Sequence, residues 1–140
     1  MTRPDPVRRF LAKRGSPPHV VEGGLEGLLR GWEETAAAVA AGYPLDTLDD
    51  YLNDLDGRQI LDEALAIASP RQSAALRARR AAADARFRAL VTPVARCLWG
   101  HRAARAHGWT SDRNWWYWSR PRRVGAGLQR EIDAVLAEDP

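Results

Sequence analysis

Seven carboxylates, Asp46, Asp49, Asp50, Asp54, Asp56, Asp62 and Glu63, crowd the stretch from residue 46 to residue 63 against a single base, Arg58. Asp46, Asp50 and Asp54 recur every four residues, so on a helix they share a face. Three carboxylates on one face are enough to begin a Mg²⁺ site if further ligands join them. A helical-bundle phosphohydrolase would need carboxylates on a facing helix as well, a role open to Glu33 or Glu34. The plainer reading is that Asp49 and Asp50 follow Thr47 where acids favour a helix start, while the others sit in solvent. Asp54-Leu55-Asp56-Gly57 has neither the spacing nor the closing Glu of a calcium loop.

Cys97 and His101 are four residues apart and could face one another on a helix. No second Cys exists, and no acid is placed by pattern to orient the imidazole. Cys97 reads better as a small apolar core residue. Gly23-Gly24 and Gly125-x-Gly127 match neither a phosphate-binding loop nor a dinucleotide fingerprint. Any triad assembled from Ser111, Asp112 and a histidine would be arbitrary. The pattern specifies no catalytic group and implies no cofactor.

The most informative segment is Trp109-Thr110-Ser111-Asp112-Arg113-Asn114-Trp115-Trp116-Tyr117-Trp118-Ser119-Arg120-Pro121, which holds four of the six Trp. Aromatic surface this dense is costly to leave in water and makes the best anchor for a partner. Trp115 to Trp118 are consecutive, so no regular element sends them all one way. In a helix Trp115 and Trp118 share a face and Trp116 points elsewhere. One reading has the N-terminal arm or the last helix covering the surplus. The other makes it a binding surface flanked by Arg113, Arg120, Arg122 and Arg123, with Arg beside Trp suited to anions, cation–π stacking and protein hot spots. On this second reading the site is Arg113, Trp115, Trp116, Trp118, Arg120 and Arg122, with Trp116 the strongest anchor.

From Arg71 to Arg105 nine Arg face one acid, Asp84. The spacing of Arg77, Arg80, Asp84 and Arg88 gives an i,i+4 ladder suited to an exposed face. The basic and acidic stretches are sequential and could neutralise each other. A net charge of +3 with an acidic half is thin support for nucleic-acid binding. The basic helix is also too long and Ala-rich for a natural recognition helix.

These residues must be positioned by helices. The chain has 140 residues, enough for one domain with a real core. Leu, Ile, Val and Phe make up only about a fifth of it, leaving Ala and Trp to fill the core. Residues 1–22 form a basic, Pro-containing arm, with helical periodicity held briefly around Val7, Phe10 and Leu11. Residues 23–140 then make a single helical domain. Leu25, Leu28, Leu29, Trp32, Ala36 and Val39 predict a helix from about Gly24 to Ala41. Helical spacing returns from Leu48 to about Leu55 and from Arg58 to Ala68. Ser69-Pro70 starts what should be the longest helix. Its apolar spacing runs in phase past Thr92-Pro93, which predicts one helix bent at Pro93. Leu128, Ile132, Val135 and Leu136 predict a last helix.

The fold expected is all-α: a small bundle of about four principal helices, one of them long and kinked at Pro93. With one Cys, no signal-like N-terminus and no apolar run of membrane-spanning length, the chain reads as a cytoplasmic, bacterial protein. Its expected action is non-catalytic: an accessory or regulatory protein that binds another protein, or a second copy of itself, through the aromatic/Arg segment. A metal-dependent phosphohydrolase and a weak nucleic-acid binder are the alternatives.

Overall fold

The computed structural model describes residues 5–138 and contains six α-helices: α1 (Pro6–Lys13), α2 (Pro18–Ala40), α3 (Leu48–Ile67), α4 (Pro70–Arg88), α5 (His101–His107) and α6 (Ala126–Leu136). A 3₁₀ turn covers Trp115–Trp118, and two three-residue strands, β1 (Val91–Pro93) and β2 (Ser119–Pro121), pair antiparallel. Helix α2 lies at the centre, packed against α1, α3 and α4.

The bundle of about four helices with a bend at Pro93 is therefore corrected in two ways. There are six helices, and the basic one stops at Arg88 instead of crossing Pro93. The reason is local. Thr92 precedes a proline and is biased toward extended backbone, and Val91 and Thr92 are β-branched. Once extended, they find a partner: Val91 pairs with Pro121, Thr92 with Arg120 and Pro93 with Ser119. Pro93 has no N–H to give, which suits a strand end. The long helices carry proline only in the first turn, at Pro18 and Pro70. The longest unbroken helix is α3, not the helix after Ser69.

Helix α1 stands where periodicity held only briefly, and α5 is a separate helix instead of the end of a long one. Asp5 caps α1 by accepting from the Val7 and Arg8 N–H groups, and Val7 and Leu11 are fully buried against α2 and α3. Residues 1–4 of the basic arm lie outside the described residues. Helix α5 opens after Gly100 and closes on Gly108, whose φ of 68° is the left-handed conformation that ends helices cheaply only with glycine.

In α2 the buried side chains Leu25, Leu29, Trp32, Ala36 and Val39 make one stripe. Gly24 adopts φ 59°, ψ −152°, a region open essentially to glycine, so the regular helix begins after it. Helix α3 runs unbroken through Asp56-Gly57 and buries Tyr51, Leu52, Leu55, Leu61 and Leu65. Asp46 docks over the start of α6, accepting from the Leu128 N–H at 3.3 Å. A side chain at Gly127 would overlap that carboxylate, so glycine is required for the approach.

Helix α4 begins with a complete capping box, Ser69 and Gln72 each satisfying the other's backbone N–H. Only Ser73, Ala83 and Phe87 of this helix are buried, so little packing supports its first turns. Ser69→Ala is expected to cost about 1 kcal/mol, seen as a lower urea midpoint. An unchanged midpoint would mean that the cap contributes nothing.

Candidate functional site

The Trp-rich segment is organised by Asn114, which is buried. Its Oδ1 accepts from the Thr110 N–H and its Nδ2 donates to Gln59 Oε1 of α3. The chain then enters the 3₁₀ turn, where residues three apart align. Trp115 and Trp118 are accordingly both half-buried, while Trp116 and Tyr117 point into the core. Trp115 packs on Phe87 of α4 and edge-on to Trp116. Ser119 Oγ donates to the Trp115 carbonyl, and Val94 N–H to that of Trp118, locking the turn to β1.

Beneath this turn lies an ion pair that crosses the two charge halves, with its Arg enclosed and its Asp partly exposed. Arg58, the one base of the acidic stretch, is 2% exposed. Its Nε and Nη2 donate to Asp84, the one acid of the basic stretch, at 2.9 and 3.1 Å. Asp84 also accepts from Trp32 Nε1 at 2.8 Å. The Arg58 guanidinium sits 4.2 Å from the centre of the Trp116 ring. One fork-like contact thus ties together α2, α3, α4 and the 3₁₀ turn.

A cleft of about 480 Å³ opens above this pair, between α4 and residues 112–116. Arg58, Arg80, Arg88, Arg113, Trp115 and Trp116 line it, together with the carboxylates Asp62, Asp84 and Asp112. Arg88 lays its guanidinium 3.9 Å over the Trp115 ring, a cation–π contact at the surface. A second groove of about 400 Å³ continues beyond that stack, lined by Pro93, Val94, Trp115 and Trp118. Two buried N–H groups in the cleft wall, Trp116 Nε1 and Arg80 Nε, lack a hydrogen-bond partner, although Arg80 Nε lies 3.6 Å from Asp84 Oδ2.

The α4 arginines are not neutralised by α3. Arg79 pairs instead with Glu26 and Glu33 of α2, and its hydrogen bond to Glu33 holds that carboxyl below its ordinary range. Among the described residues, Arg71, Arg77, Arg86 and Arg88 make no salt bridge. All four are exposed.

Of the six residues expected at the site, Arg113, Trp115 and Trp116 meet at the cleft and Trp118 joins through the adjoining groove. Arg113 is exposed and Trp116 is only 1% exposed, so Trp116 offers a partner almost no surface. Arg120 is directed to α6, where it donates to Asp133 at 2.9 Å, and Arg122 is exposed. Neither lines the cleft or the groove. Sequence reasoning missed Arg80 and Arg88 as cleft residues. Their signal was present in the Arg77–Arg88 ladder, which read as plain solvent-facing helix.

The acidic segment does not converge. Asp46 goes to α6, Asp50 accepts from Thr47, and Asp54 accepts from the Tyr43 hydroxyl. Burial raises the Asp54 carboxyl above its usual range, opposed by that hydrogen bond. No group of three or more His, Cys, Asp or Glu is placed to share a metal ion among the described residues. The phosphohydrolase alternative is left without the constellation it requires. Cys97 is buried, and burial pushes its thiol up.

No described helix is long and apolar enough to cross a membrane. The molecule is thus an α-helical protein with an aromatic cluster and arginines at its surface, an arrangement suited to contact with a protein. No protein-family model matches the chain, and comparison with curated proteins and with solved structures yields no match.

Proposed function

We propose that this protein is a non-catalytic accessory or regulatory protein that binds another protein through the cleft and groove between α4 and residues 111–119. The observation that carries the reading is the Arg88–Trp115 stack at the junction of the two depressions. Arg and Trp are the residue types most enriched among binding hot spots, and here they stand together on packed elements. Arg88 and Arg113, which make no salt bridge among the described residues, set the partner's chemistry: an acidic segment carrying an apolar anchor. Its carboxylates meet Arg88 and Arg113, and its apolar side chain enters the groove beside Trp118.

The test is fluorescence anisotropy of a labelled acidic peptide containing Leu, with a single-stranded oligonucleotide as the competing probe. Saturable peptide binding is expected, weakened about tenfold or more by Trp115→Ala or Arg88→Glu. Arg88→Glu should leave the melting temperature close to that of the unmodified chain, since Arg88 is exposed, while Trp115→Ala should lower it modestly, since that ring is half-buried against Phe87. Oligonucleotide binding of equal strength, falling steeply with salt, would replace this reading with nucleic-acid binding. Binding of neither probe would overturn it.

A further inference from the structure

A cavity of about 650 Å³ lies between α3, α5 and residues 108–117, and falls in the size range of small-molecule sites. It shares Asp62 and Arg113 with the cleft but is built differently. At its centre Asp56 Oδ1 accepts two hydrogen bonds, from Tyr117 Oη at 2.6 Å and from Trp99 Nε1 at 2.9 Å. The second oxygen of Asp56 has no hydrogen-bond partner among the described residues. Burial first, and then Asp56, hold the Tyr117 phenol far above its ordinary range, so it remains a donor.

Asp62 and Glu63 bring two further carboxylates to the same wall. Neither is firmly held: Asp62 has Arg58 Nη1 at 3.4 Å, and Glu63 has Gln59 at 3.5 Å and Arg14 at 3.8 Å. Two arginines, Arg14 and Arg113, also line the cavity, and the three carboxylates outnumber them. Arg113 donates to the Gly108 carbonyl at 3.4 Å, and Arg14 lies over the Phe10 ring. The opposite walls are aromatic. Trp109 is stacked between His107 and Tyr117, with ring centres 4.4 and 4.3 Å away. Trp99 is 39% exposed, and its bond to Asp56 fixes its ring beside the carboxylate. An anchored indole next to an acceptor with spare capacity is the arrangement that captures organic cations.

We infer that this cavity binds a small organic cation, a guanidinium or ammonium group on a short apolar body, with its charge on Asp56 and its body against Trp99. Glu63 and Asp62 add to the attraction at the rim. The site stands independently of the protein-binding reading, because Trp99 and Glu63 line the cavity and not the cleft.

The experiment is a titration of the intact chain with agmatine, which carries both cationic groups, followed by tryptophan fluorescence and calorimetry, with succinate as the anionic control. Saturable agmatine binding is expected, and none of succinate. Trp99→Leu and Glu63→Gln should each weaken it by about 5- to 10-fold. Both side chains are exposed, so their variants should fold normally. Asp56→Asn, which keeps an acceptor for Tyr117 and Trp99, should weaken binding at least as much. Absence of saturable binding, equal binding of succinate, or unchanged affinity in Trp99→Leu and Glu63→Gln would overturn the proposal.

Discussion

Asp84→Ala is expected to destabilise the protein by about 3 kcal/mol, the low end of the cost of breaking a buried ion pair, because Arg58 is enclosed while Asp84 is partly exposed. For a chain of this size that is a fall in Tm of roughly 10 °C. The penalty arises from what remains. Arg58 is 2% exposed and would keep its charge with only a 3.4 Å contact to Asp62, while Trp32 Nε1 would lose its acceptor. Replacing both partners, Arg58→Met with Asp84→Leu, should recover part of the loss, because apolar groups of similar volume bring no stranded charge. Thermal unfolding of the three chains checks this. A loss below about 1 kcal/mol for Asp84→Ala would show that water reaches Arg58 and that the pair does not hold the four elements together.

Trp116→Ala should cost about 3–5 kcal/mol of stability, as truncation of a buried Trp does. The indole is 1% exposed and forms the underside of the Arg58 guanidinium, so its removal opens a void beside the same ion pair. Trp115→Ala, one residue away, should leave the urea midpoint much closer to the parent and act on partner binding instead. Paired denaturation curves separate the two. If Trp116→Ala unfolds at the parent's midpoint, its ring is not part of the core. Acrylamide quenching gives an independent check: Trp99 should be quenched readily and Trp116 hardly at all.

Much of the helical framework was legible because burial leaves a periodic trace. Leu25 to Val39 and Leu128 to Leu136 fall in α2 and α6 as their spacing required, and Ser69-Pro70 opens α4. What misled was periodicity without exclusivity. Phe87, Leu90, Val94 and Leu98 keep helical phase across Pro93, yet only Phe87 is helical, and turns and irregular backbone on either side of β1 seat the other three equally well. The choice was made by a partner, Ser119–Pro121, nearly thirty residues away, which no local window contains. Helix α1 is too short to stand alone, and only the buried seats for Val7 and Leu11 make it form.

The site was legible in composition and not in direction. Density of Trp and Arg marked residues 113–118, but which rings turn inward depends on a 3₁₀ turn that Asn114 imposes by reaching Gln59. The exchange between charge halves was hidden for a similar reason. Arg58 and Asp84 are each the exception in their own stretch, and being the exception was the clue. A lone base among acids and a lone acid among bases are where opposite charge is needed locally, and here each answers the other.

The β1–β2 ribbon also has a bearing on how copies of this chain meet. Unpaired strand edges are templates on which another molecule's backbone can extend a sheet. Here the strands are three residues long and each contains a proline, Pro93 at one end of the ribbon and Pro121 at the other. A third strand docking on either side would find too few free backbone groups to seat itself. The ribbon therefore gives a second copy no edge on which to extend a sheet.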